Sequence, residues 1–157
     1  MNITVKKLRS KKITKIVTSA VDFYAHLLMS KRICQSLDIT VTFGKPDNGM
    51  LGTCLYIDYS NGIRSFDIDI VKGLTLNSTL STLAHEMVHL KQFAKKELSD
   101  QYHSSKSKWM GKLIDESKVD YWDLPYEIEA YGREPGLFIR FNTREKINQD
   151  LLQRVVT

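Results

Sequence analysis

The chain has 157 residues, 42% of them hydrophobic, which suits one domain with a core large enough to fold without staples. Two cysteines, Cys34 and Cys54, exclude a disulfide framework and lack the C-x-x-C spacing of a zinc ribbon or redox motif, so both are expected as buried, reduced thiols. The net charge of +5 comes from 23 basic residues mixed with 18 acidic ones, too dispersed to define a nucleic-acid surface by itself.

The first segment, Met1 to Lys12, is basic but lacks the apolar stretch and cleavage site of a secretory signal. No apolar run reaches the roughly 20 residues that a bilayer span requires. A cytoplasmic protein without a membrane partner is expected, made inside a cell even where a virus encodes it. The densest positive run, Lys6 to Lys15, reads as a solvated helix face or as a basic flexible arm over residues 1–12, with nucleic-acid contact as the alternative.

From Lys12 to about Ser36, Ile13, Ile16, Val17, Ala20, Val21, Tyr24, Leu27 and Leu28 recur at three- and four-residue spacing, which predicts one long amphipathic helix. Leu37 to Phe43 then alternates apolar with polar residues as a strand does, and Gly44 to Gly49 supplies turn residues. Two further strands, Gly52 to Tyr59 and Ile63 to Val71, are joined by the Ser60-Asn61-Gly62 turn. A small three-stranded sheet containing a hairpin follows.

A second helix begins near Leu76, with Asn77 or Ser78 as its N-cap, and runs to about Leu98. Ser99 to Ser107 reads as a loop and Trp109 to Leu113 as a short helical turn. Asp123-Leu124-Pro125 opens another helix, because proline suits a first turn and aspartate can cap it. Pro135-Gly136 should kink or interrupt that helix, and Leu137 to Val156 remains helix-compatible. The pattern is α+β, in a single domain spanning 1–157.

His85-Glu86-Met87-Val88-His89 lies on the second predicted helix and is an H-E-x-x-H motif. Positions i and i+4 share one helix face, so both imidazoles can reach a single ion, with Glu86 beside the water that the ion activates. Zinc held by three protein ligands supports peptide-bond hydrolysis with such a carboxylate as general base. A third ligand is required. A metzincin would place histidine at position 95 and glycine at position 92; Lys95 and Gln92 stand there, which excludes that class. Glu127 and Glu129 on the third helix are two positions apart, so only one can face the ion.

The segment around them resembles the E-x-x-A/S-(D/N) ligand helix of gluzincin-type metallopeptidases. The resemblance implies Glu127 as zinc ligand and Ala130 as the small residue that permits close helix packing. Tyr131 stands where that family has Asp or Asn to orient a zinc-bound histidine. Either Glu134 or Glu129 takes over that role, or Tyr131 donates a hydrogen bond to the tetrahedral oxyanion. His103, which precedes Trp109, is a rival third ligand by similarity to the histidine-supplying segment of SprT-like proteases, although no glycine adjoins it. His26 is expected to be structural.

Ser81 to Gln92, Trp109 to Lys112 and Tyr121 to Glu134 together resemble the SprT-like metallopeptidases of tailed phages and bacteria, over roughly the second half of the chain. The resemblance implies a minimal zincin-like domain, a Zn2+ cofactor and a phage source, but no particular substrate. In zincins generally, the sheet edge beside the active-site helix takes an extended polypeptide as an added strand, a role for Gly52 to Tyr59 or for Ile63 to Val71.

The leading expectation is therefore a zinc endopeptidase with His85, His89 and Glu127 as ligands, Glu86 as general base and Tyr131 assisting. Two alternatives keep the same site: a nucleic-acid-associated or virion module in which hydrolysis is vestigial, and a SprT-like protease stimulated by DNA.

Overall fold

The computed structural model describes residues 1–44, 49–100 and 105–157. The architecture is mixed, in agreement with an α+β class in its coarse form: helices lie against one face of a sheet. Strands β1 (Asn2–Lys6), β2 (Leu37–Gly44), β3 (Gly52–Ser60) and β4 (Ile63–Val71) form that sheet in the order β1-β2-β4-β3. The first three neighbours pair in parallel, and β3 closes the sheet as an antiparallel edge strand.

The sheet thus has four strands where periodicity predicts three. The extra one is Asn2–Lys6, which charge alone marked as part of a flexible arm. Ile3 and Val5 alternate with exposed Asn2, Thr4 and Lys6 and pack against the core, the period-2 signature of a half-buried strand. The β3–β4 hairpin forms as predicted, with Asn61 and Gly62 both at positive φ (51° and 79°) as a two-residue turn demands.

The predicted long first helix is two helices. Helix α1 (Lys11–Leu28) ends at Met29, and α2 (Lys31–Gln35) starts afresh because the Ser30 hydroxyl accepts from Ile33 N. Ile13, Val17, Ala20, Val21 and Tyr24 are buried, as their spacing requires. Across from them Ile39, Val41 and Phe43 of β2 and Phe66, Ile68 and Ile70 of β4 are essentially inaccessible to solvent. The cysteines form no disulfide; Cys34 is buried in this core, whereas Cys54 is only partly so.

Helix α3 (Leu76–Ala94) is capped by Thr75, whose hydroxyl accepts from Ser78 N at 3.2 Å, not by Asn77 or Ser78. It stops before Leu98 because Lys96 adopts a left-handed conformation (φ 59°) and turns the chain. A second, three-stranded sheet follows: β5 (Leu98–Asp100), β6 (Lys106–Trp109) and β7 (Lys112–Asp115). The predicted helical turn at Trp109 to Leu113 is instead the β6–β7 hairpin, with Met110 and Gly111 both at positive φ. The Ser99 to Ser107 loop likewise gives its two ends to strands, and the parts of the predicted loops at residues 45–48 and 101–104 lie outside the described residues.

Helix α4 (Pro125–Glu145) has Pro125 at its first turn; Asp123 belongs to a preceding 3-10 turn, Tyr121–Asp123, and does not cap it. Pro135 and Gly136 do not interrupt α4, because both are exposed and water can take the carbonyl that Pro135 leaves unpaired. Helix α5 (Gln149–Leu152) precedes a C-terminal stretch that bridges Thr75 to Val155 and so pins the start of α3.

Candidate metal centre

Helix α3 is buried along most of its length, so its polar residues face other protein groups and not bulk water. His85, Glu86 and Gln92 all lie below a tenth of full exposure. Helix α4 crosses against α3 where Ala130 is completely buried, and the missing side-chain bulk lets the two helices approach. Glu127, one turn before Ala130, is thereby brought to the histidines.

The result is a triangle of three residues, drawn by two ring nitrogens and the two oxygens of one carboxylate. His85 Nε2 and His89 Nε2 are 3.1 Å apart, His85 Nε2 is 3.3 Å from Glu127 Oε2, and His89 Nε2 is 3.5 Å from Glu127 Oε1. Among the described residues these three form the group that could hold a metal ion. His103 lies outside the described residues. Glu129 points to the other side of α4, towards Lys91, Gln92 and Arg133, as an offset of two helical positions requires. His26 is exposed on α1 beside Asp22, away from the group.

Each donor is oriented by a neighbour. His85 Nδ1 faces Glu134 Oε2 at 3.3 Å, and the Ser81 hydroxyl donates to the other Glu134 oxygen at 2.5 Å. His89 Nδ1 faces Gln92 Oε1 at 2.9 Å. A carboxylate and an amide oxygen are acceptors, so each ring carries a hydrogen on Nδ1 and turns its Nε2 to the triangle. Tyr121 OH donates to Glu127 Oε2 at 2.7 Å. Of the alternatives open in the sequence, Glu134 orients His85, while Glu129 contacts Gln92. Tyr131 packs its ring 4.5 Å from that of His85 and lies next to Tyr121.

Electrostatics follow from this packing. Burial opposes charge on His85, but the carboxylates of Glu127 and Glu134 outweigh it and raise the imidazole to about 9. Burial likewise opposes charge on Glu127, and His85, His89 and Tyr121 outweigh it to hold that carboxyl well below the usual carboxylate range. Glu86 has no such direct partner; burial raises it to about 7 against the pull of His89 and His85. The cluster is arranged around one positive charge, with Glu86 left as a carboxyl poised near neutrality.

Glu86 and His85 open onto a cleft of about 440 Å³, walled by Met50, Leu51 and Gly52 on one side and by Tyr121 and Tyr131 on the other. Gly52 opens β3 directly over Glu86: a Cβ there would fall 2.8 Å from Glu86 Oε1 and 2.7 Å from Thr82 Cγ2. Gln92, Ser81, Tyr121 and Gly52 are contributors that the motif does not reveal. Comparison of the chain with protein-family models, with curated proteins and with solved structures finds no match. Among the described residues, no helix is long and apolar enough to cross a membrane.

Proposed function

We propose that this chain is a zinc-dependent metalloendopeptidase with a minimal zincin-like site: His85, His89 and Glu127 hold the ion and Glu86 is the general base. The observation that carries the reading is the spacing of the donor triangle. Ligands of a tetrahedral zinc at about 2.0–2.1 Å lie about 3.3–3.4 Å from one another; here the two Nε2 atoms are 3.1 Å apart, and each has its own oxygen of the Glu127 carboxylate near that spacing, at 3.3 and 3.5 Å. Two imidazoles and a carboxylate are also a donor set that suits zinc.

A zinc ion held there supplies Lewis acidity and lowers the pKa of a water towards about 7. Glu86 takes the proton as the water oxygen attacks the peptide carbonyl carbon. It gives the proton to the leaving nitrogen as the C–N bond breaks, and so returns to its starting state. Tyr131, at the cleft wall, donates to the developing oxyanion.

The polypeptide is accommodated along β3, the edge strand of the sheet that borders the cleft, whereas β4 lies in its interior. An added strand there runs past Gly52 and the Glu86 carboxylate, and exposed Met50 and Leu51 offer apolar contact to its side chains. The test is Glu86→Gln: zinc retained at one equivalent, and cleavage of an unfolded polypeptide lowered by about 10²–10⁴-fold. A purified protein that binds no zinc yet has normal stability would overturn the reading.

A second reading, a nucleic-acid-associated or virion zinc module or a DNA-stimulated protease of SprT-like kind, draws on one feature. Lys6, Lys7, Arg9, Lys11 and Lys12 are all exposed around the turn between β1 and α1. Salt-sensitive DNA binding that persists in Glu86→Gln, without cleavage of any peptide library, would favour the module. Cleavage that rises when DNA is added would favour the stimulated protease.

A further inference from the structure

The Gln92 side chain has three partners, and together they fix which way its amide points. Its Nε2 donates to the Tyr126 carbonyl at 2.9 Å and to Glu129 Oε2 at 3.1 Å. Both are obligate acceptors, so a flipped amide would set oxygen against oxygen at two places. The Gln92 oxygen must therefore face His89 Nδ1, 2.9 Å away, and His89 must carry its hydrogen there. Its Nε2 lone pair is then the one directed at His85 and Glu127.

Glu129 is fixed in turn. Its Oε1 accepts from Lys91 Nζ at 2.6 Å and from Arg133 Nε at 2.8 Å. Lys91 is only 4% exposed and also meets Glu97 at 2.6 Å. A buried ammonium is costly unless it is paired, and here it is paired from α4 and from the segment following α3. A lysine on a helix surface would ordinarily extend to solvent; this one turns inward beside the glutamine that holds His89.

We propose that Lys91, Glu129 and Gln92 form a positioning relay that sets the tautomer and stance of His89, so that the functional stretch of α3 runs from Ser81 to Gln92 and includes a charged support from α4. The inference rests on the reading of His85, His89 and Glu127 as a metal site. Within it, the two histidines are held differently: His85 by a carboxylate, His89 by a neutral amide that is itself locked by a buried ion pair. The relay acts through His89 and touches no reacting atom, so Gln92 and Glu129 are positioning residues.

The test uses the full chain, with Gln92→Leu, Glu129→Gln and the double variant, and zinc as the probe. Competition with a chromophoric chelator should show zinc affinity reduced by about 10–100-fold in Gln92→Leu, the range for groups that orient a metal-bound histidine. Glu129→Gln should lose less, and the double variant should bind no more weakly than Gln92→Leu, because both changes act on the same contact. In metal-free protein above the titration range of His85, 15N spectra should show His89 as the Nδ1–H tautomer in the wild type and as a mixture of tautomers in Gln92→Leu. A clamp that merely joined α3 to α4 would lower thermal stability in these variants without moving the tautomer. Zinc affinity unchanged in Gln92→Leu, additive losses in the double variant, or an unchanged tautomer would each overturn the relay. A wild-type chain that binds no zinc would remove the metal reading itself, while the tautomer measurement would still decide whether Gln92 sets the state of His89.

Discussion

Helix α3 brings His85, Glu86 and His89 to the site from a single turn of chain, whereas α4 brings Glu127, Tyr131 and Glu134 from positions spread over about two turns. The donors of α3 are two imidazoles with their Nε2 atoms 3.1 Å apart. Those of α4 are anions, Glu127 on the triangle and Glu134 behind His85. Neither helix alone forms a cation site of any strength. On the proposed metallopeptidase reading their difference divides the work: α4 decides what is bound and how firmly, and the part of α3 that faces the cleft decides what is done with it.

Removing the carboxylate that α4 contributes tests the first half of that division. Glu127→Ala takes away the one anionic donor and also the acceptor for Tyr121 OH. Zinc affinity should fall by more than the roughly 10–100-fold expected for a merely supporting residue, as measured by chelator competition, with the far-ultraviolet spectrum unchanged. Retained affinity in a folded variant would mean that α4 does not supply the third ligand.

The second half is tested from the strand side. In Gly52→Ala the added methyl would sit 2.8 Å from Glu86 Oε1 and 2.7 Å from Thr82 Cγ2, so the flexible Glu86 carboxylate must give way. Displacing a catalytic group by about 1 Å can cost on the order of 10²-fold in rate. A loss of kcat/KM of up to that size is expected, with zinc affinity retained. A parallel loss of zinc would show that the strand acts on α3 as a whole.

The same two helices differ in how much of them could be read from the chain. The H-E-x-x-H residues were legible because helical geometry alone makes positions i and i+4 neighbours. Glu127 was reached through its resemblance to a ligand helix and Ala130, and it does lie on the triangle. The roles of Ser81, Gln92, Lys91 and Tyr121 were not legible, because each depends on how α3, α4 and the 3-10 turn cross, and no local pattern encodes a crossing. Elsewhere, alternation and Asn61-Gly62 were enough for the β3–β4 hairpin. The β6–β7 hairpin was missed because its turn places a non-glycine residue, Met110, at positive φ. Strand β1 is hidden in the sequence because the basic run from Lys6 to Lys12 outweighs the short Ile3–Val5 alternation, which becomes visible as a strand only once β2 is there to pair with it.

The smallest expected effect concerns protons and probes the charge that α4 lends to α3. Glu127 and Glu134 overcome burial to raise His85 to about 9, so in metal-free protein at pH 7 its ring holds a proton on each nitrogen. Zinc must replace the one on Nε2, facing Glu127, while Glu134 retains the one on Nδ1. Calorimetry in buffers of different ionisation enthalpy should therefore find that His85 contributes about one proton to the release per zinc at pH 7, a contribution that declines as pH rises through about 9. Because the proton competes with the metal, apparent affinity should increase with pH by about tenfold per unit below that value and then level off. In Glu134→Gln, one of the carboxylates that raise His85 is gone, so the release at neutral pH should shrink and the plateau should begin at lower pH. If the release and its pH profile were the same in both proteins, the charge on α4 would not be what prepares His85, and the division of labour between the helices would rest on ligation alone.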